Sequence, residues 1–325
     1  MVTRKHLTFG LQCAVSIALL TLLFRGLDRG ALRTLFTTLP LWFYLLSLAV
    51  VMLGQVLYAW RWRQVLAASG VSVSLGTAVQ QYFIGIFLNN FFPSTVGGDM
   101  AKVYYLGRQH GYRPIAASIV LDRLLSIGLL AVFATAMYWL APDPSPRFAA
   151  TRAAVTAIAA MLIAFLIVAA RGTGGLPRRL ARCGALVVGI AQRLQQFRRD
   201  MATAAARPQI VMQSAAVVAT YFVALTSVYR MFFAISLATH PAFFTLLTAV
   251  TTASLLSNVP VSVNGLGLRE QLHALLLQPL GVPREAAVAI SLLIFAHLLV
   301  SSLVGLVFWL RLPAFPKNVA SETGV

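Results

Sequence analysis

The stretch NNFFPSTVGGD, residues 89–99, ends an apolar segment at 75–92, and SNVPVSVNGLG, residues 257–267, ends a second apolar segment at 241–258. Each apolar segment is long enough to be considered a membrane span, but each runs directly into a polar stretch rich in Pro and Gly, which interrupts helices. Backbone without helical hydrogen bonds cannot face lipid, so both breaks must be buried in protein or line a wet cavity. The sequence therefore predicts two broken helices.

The composition around these segments is that of a membrane protein. Of the 325 residues, 59% are hydrophobic and 10% are charged, against roughly 45–50% and 25% in soluble domains. This excludes an ordinary soluble domain and predicts an all-α polytopic membrane protein that forms one domain over residues 1–325. About six full transmembrane helices are predicted from the continuous apolar runs at 7–24, 39–60, 116–140, 149–170, 209–229 and 286–310.

The formal net charge of +18 taken alone could indicate a nucleic-acid binder. The basic residues instead form short clusters between apolar runs, which favours membrane lipids as partners and excludes nucleic acid. The densest cluster has eight arginines in the loop 171–208 and is predicted to be cytoplasmic. Two interpretations of this loop stay open: an amphipathic helix lying on anionic headgroups, or a solvated loop that sets orientation.

The charge count also decides whether the broken segments cross the membrane. If both enter and leave on the same side, the cytoplasmic segments hold 17 basic residues and the outer segments hold 8. If 75–92 crosses fully, the eight-arginine loop lies outside. The sequence therefore predicts two re-entrant hairpins, at about 75–113 and about 241–285, in an inner-membrane protein with both termini in the cytoplasm.

The two broken segments resemble each other. With one residue inserted before Pro93, they predict an inverted repeat, because three spans separate the two copies. The matching pairs are Asn90 and Asn258, Pro93 and Pro260, Val96 and Val263, Gly98 and Gly265, and Lys102 and Arg269. Each segment is then followed by a Gly and an Ala pair at equal spacing, Gly111 with Ala116–Ala117 and Gly281 with Ala286–Ala287.

A new short helix is predicted to begin after each break, near Asp99 and near Leu268. The first N–H groups of a helix are unpaired and carry the positive end of its dipole, which suits an anion such as phosphate. Lys102 and Arg269 fall in the first turns of these helices and add full positive charge. These features predict a pocket for an anionic headgroup. Asp99 is equally well interpreted as a helix cap.

Asp122 and Arg123 lie within an apolar span, where a charge costs at least ~2.5 kcal/mol, so both should face a partner or a cavity. Asp122 is expected to neutralise Lys102 or Arg269, and Arg123 is expected to meet Asp99 or a phosphate. The alternative is structural: a pair that locks this helix to the first hairpin. The nearby run of Trp and Arg at 60–63 is interpreted as an interfacial anchor.

No catalytic signature is found in the sequence. It contains no Ser/His/Asp set, no Walker loop and no Rossmann fingerprint, and Cys13 and Cys183 do not have metal-ligand spacing. Glu270 and His273 match half of a di-metal helix motif, but no second Glu-x-x-His exists. We therefore expect no catalytic residue, no metal and no cofactor.

Three motifs carry a resemblance to a known family: NNFFPSTVGGDMAKVYYLGR, the DR of SIVLDRLLSIG, and NVPVSVNGLGLREQLHALLL. Together they resemble the lysylphosphatidylglycerol synthase transmembrane region family, also called flippase-like domain proteins. Lys102 stands where the family often has arginine. The positions that match the family motifs are Asn89 or Asn90, Pro93, Gly98, Asp99, Lys102, Asp122, Arg123, Pro260, Gly265, Gly267, Arg269 and Glu270.

The resemblance implies a membrane domain that moves lipids or lipid-linked headgroups between leaflets. Bifunctional relatives add a cytoplasmic aminoacyl-transferase domain, and we expect that synthase activity to be absent here, because Val325 lies fifteen residues past Leu310. Relatives linked to hopanoid or polyprenyl lipids leave the cargo open.

The sequence thus predicts a lipid flippase or transporter without enzymatic activity. Its substrate-binding residues are those of the matched motifs, and its cargo is an anionic phospholipid, an aminoacyl-lipid or a polyprenyl-phosphate-linked lipid. One alternative is an integral membrane enzyme with Asp99, Asp122 or Glu270 as base. Another is an accessory subunit that positions a lipid-biosynthetic enzyme.

Overall fold

The secondary structure of the described chain is entirely helical. A computed structural model describes residues 18, 20–23, 25–91, 97–141, 146–171, 207–258, 262 and 265–311, and these ranges contain no strand. The predicted first span at 7–24 and the basic loop at 171–208 fall almost wholly outside the described residues.

Residues 18, 20–23 and 25 are helical, and they are followed by ten α-helices and one short 3-10 turn, Gln278–Leu280. In chain order the helices are α1 (Arg29–Thr37), α2 (Leu41–Ala68), α3 (Leu75–Phe91), α4 (Gly97–His110), α5 (Tyr112–Leu140), α6 (Pro146–Arg171), α7 (Pro208–Leu237), α8 (Phe243–Leu256), α9 (Leu268–Leu277) and α10 (Arg284–Leu310).

Four of these helices, α2, α5, α7 and α10, are long and apolar enough to cross a membrane. They match four of the predicted spans. Helix α6 coincides with the predicted span at 149–170, but its described apolar part, Ala149–Met161, is shorter than a span. The protein is therefore an all-α, multi-pass membrane protein with four candidate spans among the described residues, and the number six stays a prediction.

Both predicted breaks fall between two helices. Helix α3 ends at Phe91 and α4 begins at Gly97, whereas α8 ends at Leu256 and α9 begins at Leu268. In each case the two helices pack against each other, so we call α3–α4 the first hairpin and α8–α9 the second hairpin. The short helices begin where the sequence places them, near Asp99 and at Leu268.

The two hairpins exchange partners, since the first helix of each hairpin packs on the long helix that follows the other hairpin. Helix α3 of the first hairpin packs on α10, and α8 of the second hairpin packs on α5. Each short helix packs on the span that follows it, α4 on α5 and α9 on α10, while α2 packs on α7 between them. The contacts of α2–α5 thus correspond to those of α7–α10. The contact of α3 with α10 corresponds to that of α8 with α5, the contact of α4 with α5 corresponds to that of α9 with α10, and α2 and α7 contact each other.

Glycine allows the closest of these approaches. A Cβ atom built on Gly305 of α10 would overlap the carbonyl oxygen of Phe83 in α3, so the two backbones are in direct contact. A Cβ on Gly98 would likewise overlap the carbonyl of Gly85, which holds the start of α4 against the middle of α3. Only a residue without a side chain fits at either crossing, and these contacts fix where the first break lies.

Candidate functional site

The two breaks converge on a pair of adjoining cavities in the helix bundle. A smaller cavity of about 210 Å³ is lined by Asn89, Asp99 and Lys102 of the first hairpin and by Asn258, which follows the last turn of α8. A larger cavity of about 360 Å³ is lined by Arg269 and His273 of the second hairpin. The two cavities adjoin because four residues line both of them: Tyr82, Ser126, Ile127 and Asn258.

The N-terminus of α4 is capped from the other side of the first break. The Gly98 N–H donates a hydrogen bond of 2.8 Å to Asn89 Oδ1, although Asn89 belongs to α3. The amide oxygen thus satisfies one of the backbone donors that every helix start leaves unpaired. The cap ties the two helices of the first hairpin together at the mouth of the smaller cavity.

Asp99 pairs with two cationic side chains beside this cap. Arg123 Nε of α5 donates to Asp99 Oδ2 at 2.7 Å, and Lys102 Nζ lies 3.6 Å from Oδ1. The expected contact between Arg123 and Asp99 is therefore present. Lys102 is 8% exposed, and its ammonium lies over the rings of Trp62 at 4.9 Å and Tyr82 at 4.6 Å. Aromatic faces attract a cation, so Lys102 is enclosed as well as paired.

The partner expected for Asp122 is wrong. Asp122 Oδ1 accepts from Arg61 Nε at 3.0 Å and lies 2.9 Å from Arg61 Nη2, not from Lys102 or Arg269. The interfacial anchor predicted at 60–63 is wrong for its central residues, because Arg61 and Trp62 are each 1% exposed. An isolated buried guanidinium is costly, and the Asp122 carboxylate removes that cost by pairing with it. The pair locks α5 to α2 rather than to the first hairpin.

The second hairpin holds its cation with a fully buried carboxylate. Glu270 is 0% exposed, and its Oε2 accepts from the Gly267 N–H at 2.7 Å, so it caps its own helix. The other oxygen accepts from Arg269 Nε at 3.1 Å and also from Arg269 Nη2. The Arg269 guanidinium lies 4.5 Å from the ring centroid of Phe295 in α10. Carboxylate and ring therefore fix the guanidinium at the cavity wall.

Gly267 and Gly265 allow the turn into α9. Their φ values are +82° and +75°, which lie in the left-handed region that favours glycine. Both residues match the predicted motif, and both are buried. They shape the chain so that Glu270 can reach back to the backbone it caps.

His273 is held as a neutral donor and acceptor. Its Nδ1 lies 2.8 Å from the carbonyl oxygen of Arg269, which can only accept, so Nδ1 carries the proton. Its Nε2 lies 2.9 Å from the Tyr229 hydroxyl and accepts the hydroxyl proton when the ring is neutral, which is the form that burial favours. His273 thus links α9 to α7 without adding charge to the larger cavity.

Six of the predicted site residues lie at the cavities. Five of them line a cavity, namely Asp99, Lys102, Asp122, Arg123 and Arg269, and Glu270 pairs directly with Arg269. Gly98, Gly265 and Gly267 shape the helix starts. Asn90 is half-buried and lines neither of the two cavities, whereas its neighbour Asn89 does. Pro93 and Pro260 lie outside the described residues.

Several residues of the site are missed by sequence reasoning. Arg61 and four tyrosines line the larger cavity, the tyrosines being Tyr58, Tyr82, Tyr221 and Tyr229. An arginine between two tryptophans is typical of a membrane interface, so nothing local indicates its burial. The sequence signal for a buried cation was Asp122, because a carboxylate within a span requires a cationic partner, and here that partner had to come from another span.

Residues 10–305 match the family described as Lysylphosphatidylglycerol synthase TM region. The chain belongs to this family. The match covers all the described helices except the last turns of α10, and it confirms the family resemblance of the three motifs.

The UPF0104 membrane protein PH1989 of Pyrococcus horikoshii is one curated relative of the chain. The two are 28% identical over 123 residues, which is 37% of this chain and 36% of the relative. The chain thus matches little more than a third of that relative's length. No solved structure matches the chain at a significant level.

Proposed function

We propose that the protein is a lipid flippase or lipid transporter of the inner membrane, which moves an anionic or lipid-linked headgroup between the leaflets. In this proposal the hairpins are re-entrant, both termini are cytoplasmic, and the protein performs no chemical reaction on its cargo. Membrane lipids are its ligands, and a lipid-biosynthetic enzyme that makes the cargo is a natural partner. The family of the chain supports a lipid-related membrane role.

The observation that carries the proposal is the convergence of the two breaks on adjoining cavities lined by cations. Lys102 and Arg123 line the smaller cavity, and Arg269 lines the larger one. A charged side chain inside a membrane protein generally faces a partner or a pathway for a polar substrate. In the proposed mechanism the headgroup enters these cavities while the acyl or prenyl tails stay in lipid. Asp99 and Glu270 hold the cations in place and balance their charge.

The exchange of helix partners supports an inverted repeat. Each helix of α2–α5 has a counterpart in α7–α10 with corresponding neighbours. The predicted glycine pair also corresponds, since Gly111 (φ +87°) precedes α5 and Gly281 (φ +75°) precedes α10. Secondary transporters built from inverted repeats bind substrate near the midplane, where their broken helices meet, and alternate access by moving one repeat against the other.

The topology can be tested by thiol labelling. On a Cys13→Ser, Cys183→Ser background, single cysteines replace Ser74 or His110 at the ends of the first hairpin, and His240 or Gln278 at the ends of the second. All four side chains are exposed. A membrane-impermeant maleimide added to intact cells should label positions 240 and 278 but not 74 and 110. Opposite labelling within either pair would mean that its hairpin crosses the membrane.

The transport function can be tested with purified protein reconstituted into vesicles that carry labelled phospholipids, aminoacyl-lipids or polyprenyl phosphates. Translocation of at least one anionic lipid is expected. Arg269→Ala should reduce its binding about ten- to a hundred-fold, because one charge-assisted contact of a buried group is lost. Arg284→Ala is the matched control, since Arg284 is exposed at the start of α10. Vesicles that translocate none of the lipids, or equal effects of the two variants, would contradict the proposal.

A further inference from the structure

The larger cavity has an unusual chemical lining. Six helices, α2, α3, α5, α7, α9 and α10, contribute to it, together with Ser254 and Asn258 of the α8 end. Among the described residues, its lining includes two arginines, Arg61 and Arg269, and no aspartate or glutamate. The carboxylates that pair with these arginines, Asp122 and Glu270, contact them without lining this cavity, although Asp122 lines the smaller cavity beside it. The larger cavity therefore presents two cationic side chains whose counter-ions lie outside its own described lining.

Arg61 has hydrogen-bonding capacity that the described residues do not use. Its Nε and Nη2 are taken by Asp122 and Ser126, and its guanidinium lies 5.0 Å from the ring centroid of Tyr58. Its Nη1 is buried and has no hydrogen-bond partner among the described residues. A buried donor without an acceptor is rare in native proteins and costs free energy. The side chain is thus oriented by its partners, and one of its N–H₂ groups has no acceptor among the described residues.

Arg269 belongs to the same wall and is also held from one side. Its described hydrogen bonds use Nε and Nη2, which bind Glu270, and Nε also lies 3.3 Å from Ser291 Oγ. Two guanidinium groups whose counter-ions lie outside the cavity lining are well suited to an oxyanion, because the planar fork of N–H donors fits phosphate and carboxylate oxygens. Burial favours the neutral form of His273, and the Tyr229 hydroxyl is hydrogen-bonded to it, so neither residue adds a negative charge that would oppose an anion.

We infer that the larger cavity is a binding site for a phosphate ester and that Arg61 is one of its ligands, together with Arg269. Arg61 is not part of the headgroup pocket predicted from the sequence, which combined Lys102, Arg123 and Arg269. This inference rests on the proposed function for the identity of the ester as a lipid headgroup. A soluble phosphate has the same oxyanion chemistry, and the experiment below separates the two sources.

The key comparison uses the full-length protein in detergent and in nanodiscs. The probes are inorganic phosphate, glycerol 3-phosphate and acetate, measured by calorimetry, and phosphatidylglycerol, measured by native mass spectrometry. Wild-type protein should bind glycerol 3-phosphate or phosphatidylglycerol. Binding of the lipid alone identifies a lipid headgroup site, and equal binding of inorganic phosphate identifies a general phosphate site; both results support the inference. Acetate binding as tight as that of the phosphate probes, or binding of none of them, would overturn it.

The variant must keep the fold while removing the guanidinium. Arg61→Gln alone leaves Asp122 as a buried charge without its partner, so the informative variant is Arg61→Gln with Asp122→Asn, which removes both charges. It should bind the phosphate ester about ten- to a hundred-fold more weakly than wild type. Arg63→Gln is the matched control on the same helix: Arg63 donates to the Val73 carbonyl at 2.9 Å and lines neither cavity. Unchanged affinity in the double variant would remove Arg61 from the site.

A translocation assay on the same variants separates this inference from the proposed function. If phosphate esters bind through Arg61 but no labelled lipid is translocated, the binding site is right and the flippase proposal is wrong. If lipid is translocated and the double variant translocates it at the wild-type rate, the flippase proposal holds and the inferred site is wrong.

Discussion

Each hairpin has a cation in the first half of its short helix, Lys102 in α4 and Arg269 in α9, but the two hairpins surround it differently. In the first hairpin, Lys102 is enclosed by two aromatic rings and shares Asp99 with Arg123, whose side chain is 53% exposed. In the second hairpin, Arg269 pairs with Glu270, which is 0% exposed and also caps its own helix. The first carboxylate therefore bridges α4 to α5 near water, whereas the second acts within one buried helix start.

This difference indicates a division of labour between the two hairpins. Lys102 is enclosed by rings and a carboxylate, so its charge is largely occupied in holding the first hairpin against α2, α3 and α5. Arg269 is fixed from behind, and its guanidinium lines the larger cavity. Both cations thus line a cavity, but Lys102 is enclosed by aromatic rings beside the smaller cavity, whereas Arg269 is part of the wall of the larger one.

The largest expected effect comes from neutralising the two carboxylates. Glu270→Gln should cost about 3–5 kcal/mol of stability, because it leaves a mostly buried guanidinium without its counter-ion. Asp99→Asn should cost less, about 1–2 kcal/mol, because water screens the pair with the half-exposed Arg123 and because Lys102 keeps its contacts with the rings of Trp62 and Tyr82. Unfolding midpoints in mixed SDS and detergent micelles would measure both losses.

Two controls accompany this comparison. Glu285→Gln, at the half-buried first turn of α10, should change stability by less than about 0.5 kcal/mol. Adding Arg269→Gln to Glu270→Gln should recover part of the loss, since no uncompensated charge then remains. Equal losses for the two carboxylates would show that burial does not distinguish the hairpins.

An intermediate effect is expected from the matched glycines Gly98 and Gly265. Gly98→Ala should cost about 3 kcal/mol, because its Cβ would overlap the backbone of Gly85 and force α3 and α4 apart. Gly265→Ala should cost about 1 kcal/mol from its positive φ alone, since the nearest atom to its Cβ is 3.4 Å away. The same unfolding measurement ranks them. Gly76→Ala, with nothing closer than 3.8 Å, should lose no stability, and a loss at Gly76 similar to that at Gly98 would refute the packing argument.

The smallest expected effect concerns the aromatic rings. Double-mutant cycles that combine Lys102→Met with Tyr82→Leu, and Arg269→Met with Phe295→Leu, should each give a coupling of about 0.5–1 kcal/mol from the cation–π contact. Tyr82→Phe keeps the ring and should retain the coupling with Lys102. A coupling near zero at one hairpin would show that its ring only fills space.

Local features of the sequence predicted the helices but not all of their contacts. Pro and Gly in the two breaks, together with hydropathy, were enough to predict the helix ends near Phe91 and Leu256, because helix interruption depends on the residue and its neighbours. The contact between Arg123 and Asp99 could also be predicted, since α5, which holds Arg123, directly follows the short helix α4, which holds Asp99.

The contact between Arg61 and Asp122 could not be predicted in this way. Arg61 is 61 residues from Asp122 and lies between two tryptophans that suggest a membrane interface. Only the packing of α2 against α5 brings the two charges together. A charge in a span indicates that a partner exists, but the choice among partners depends on tertiary contacts.

The exchange of partners between α3 and α10 has a consequence for how the chain folds. These helices are roughly 200 residues apart in the sequence, and contacts this distant form late because the intervening chain must first be ordered. During synthesis α3 is made long before the surface that covers it, so until α10 emerges its contact face must be shielded by lipid, by other helices or by insertion factors. The first hairpin therefore completes its folding only after α10 has been made, and mutations in α10 should first lower the yield of correctly inserted protein.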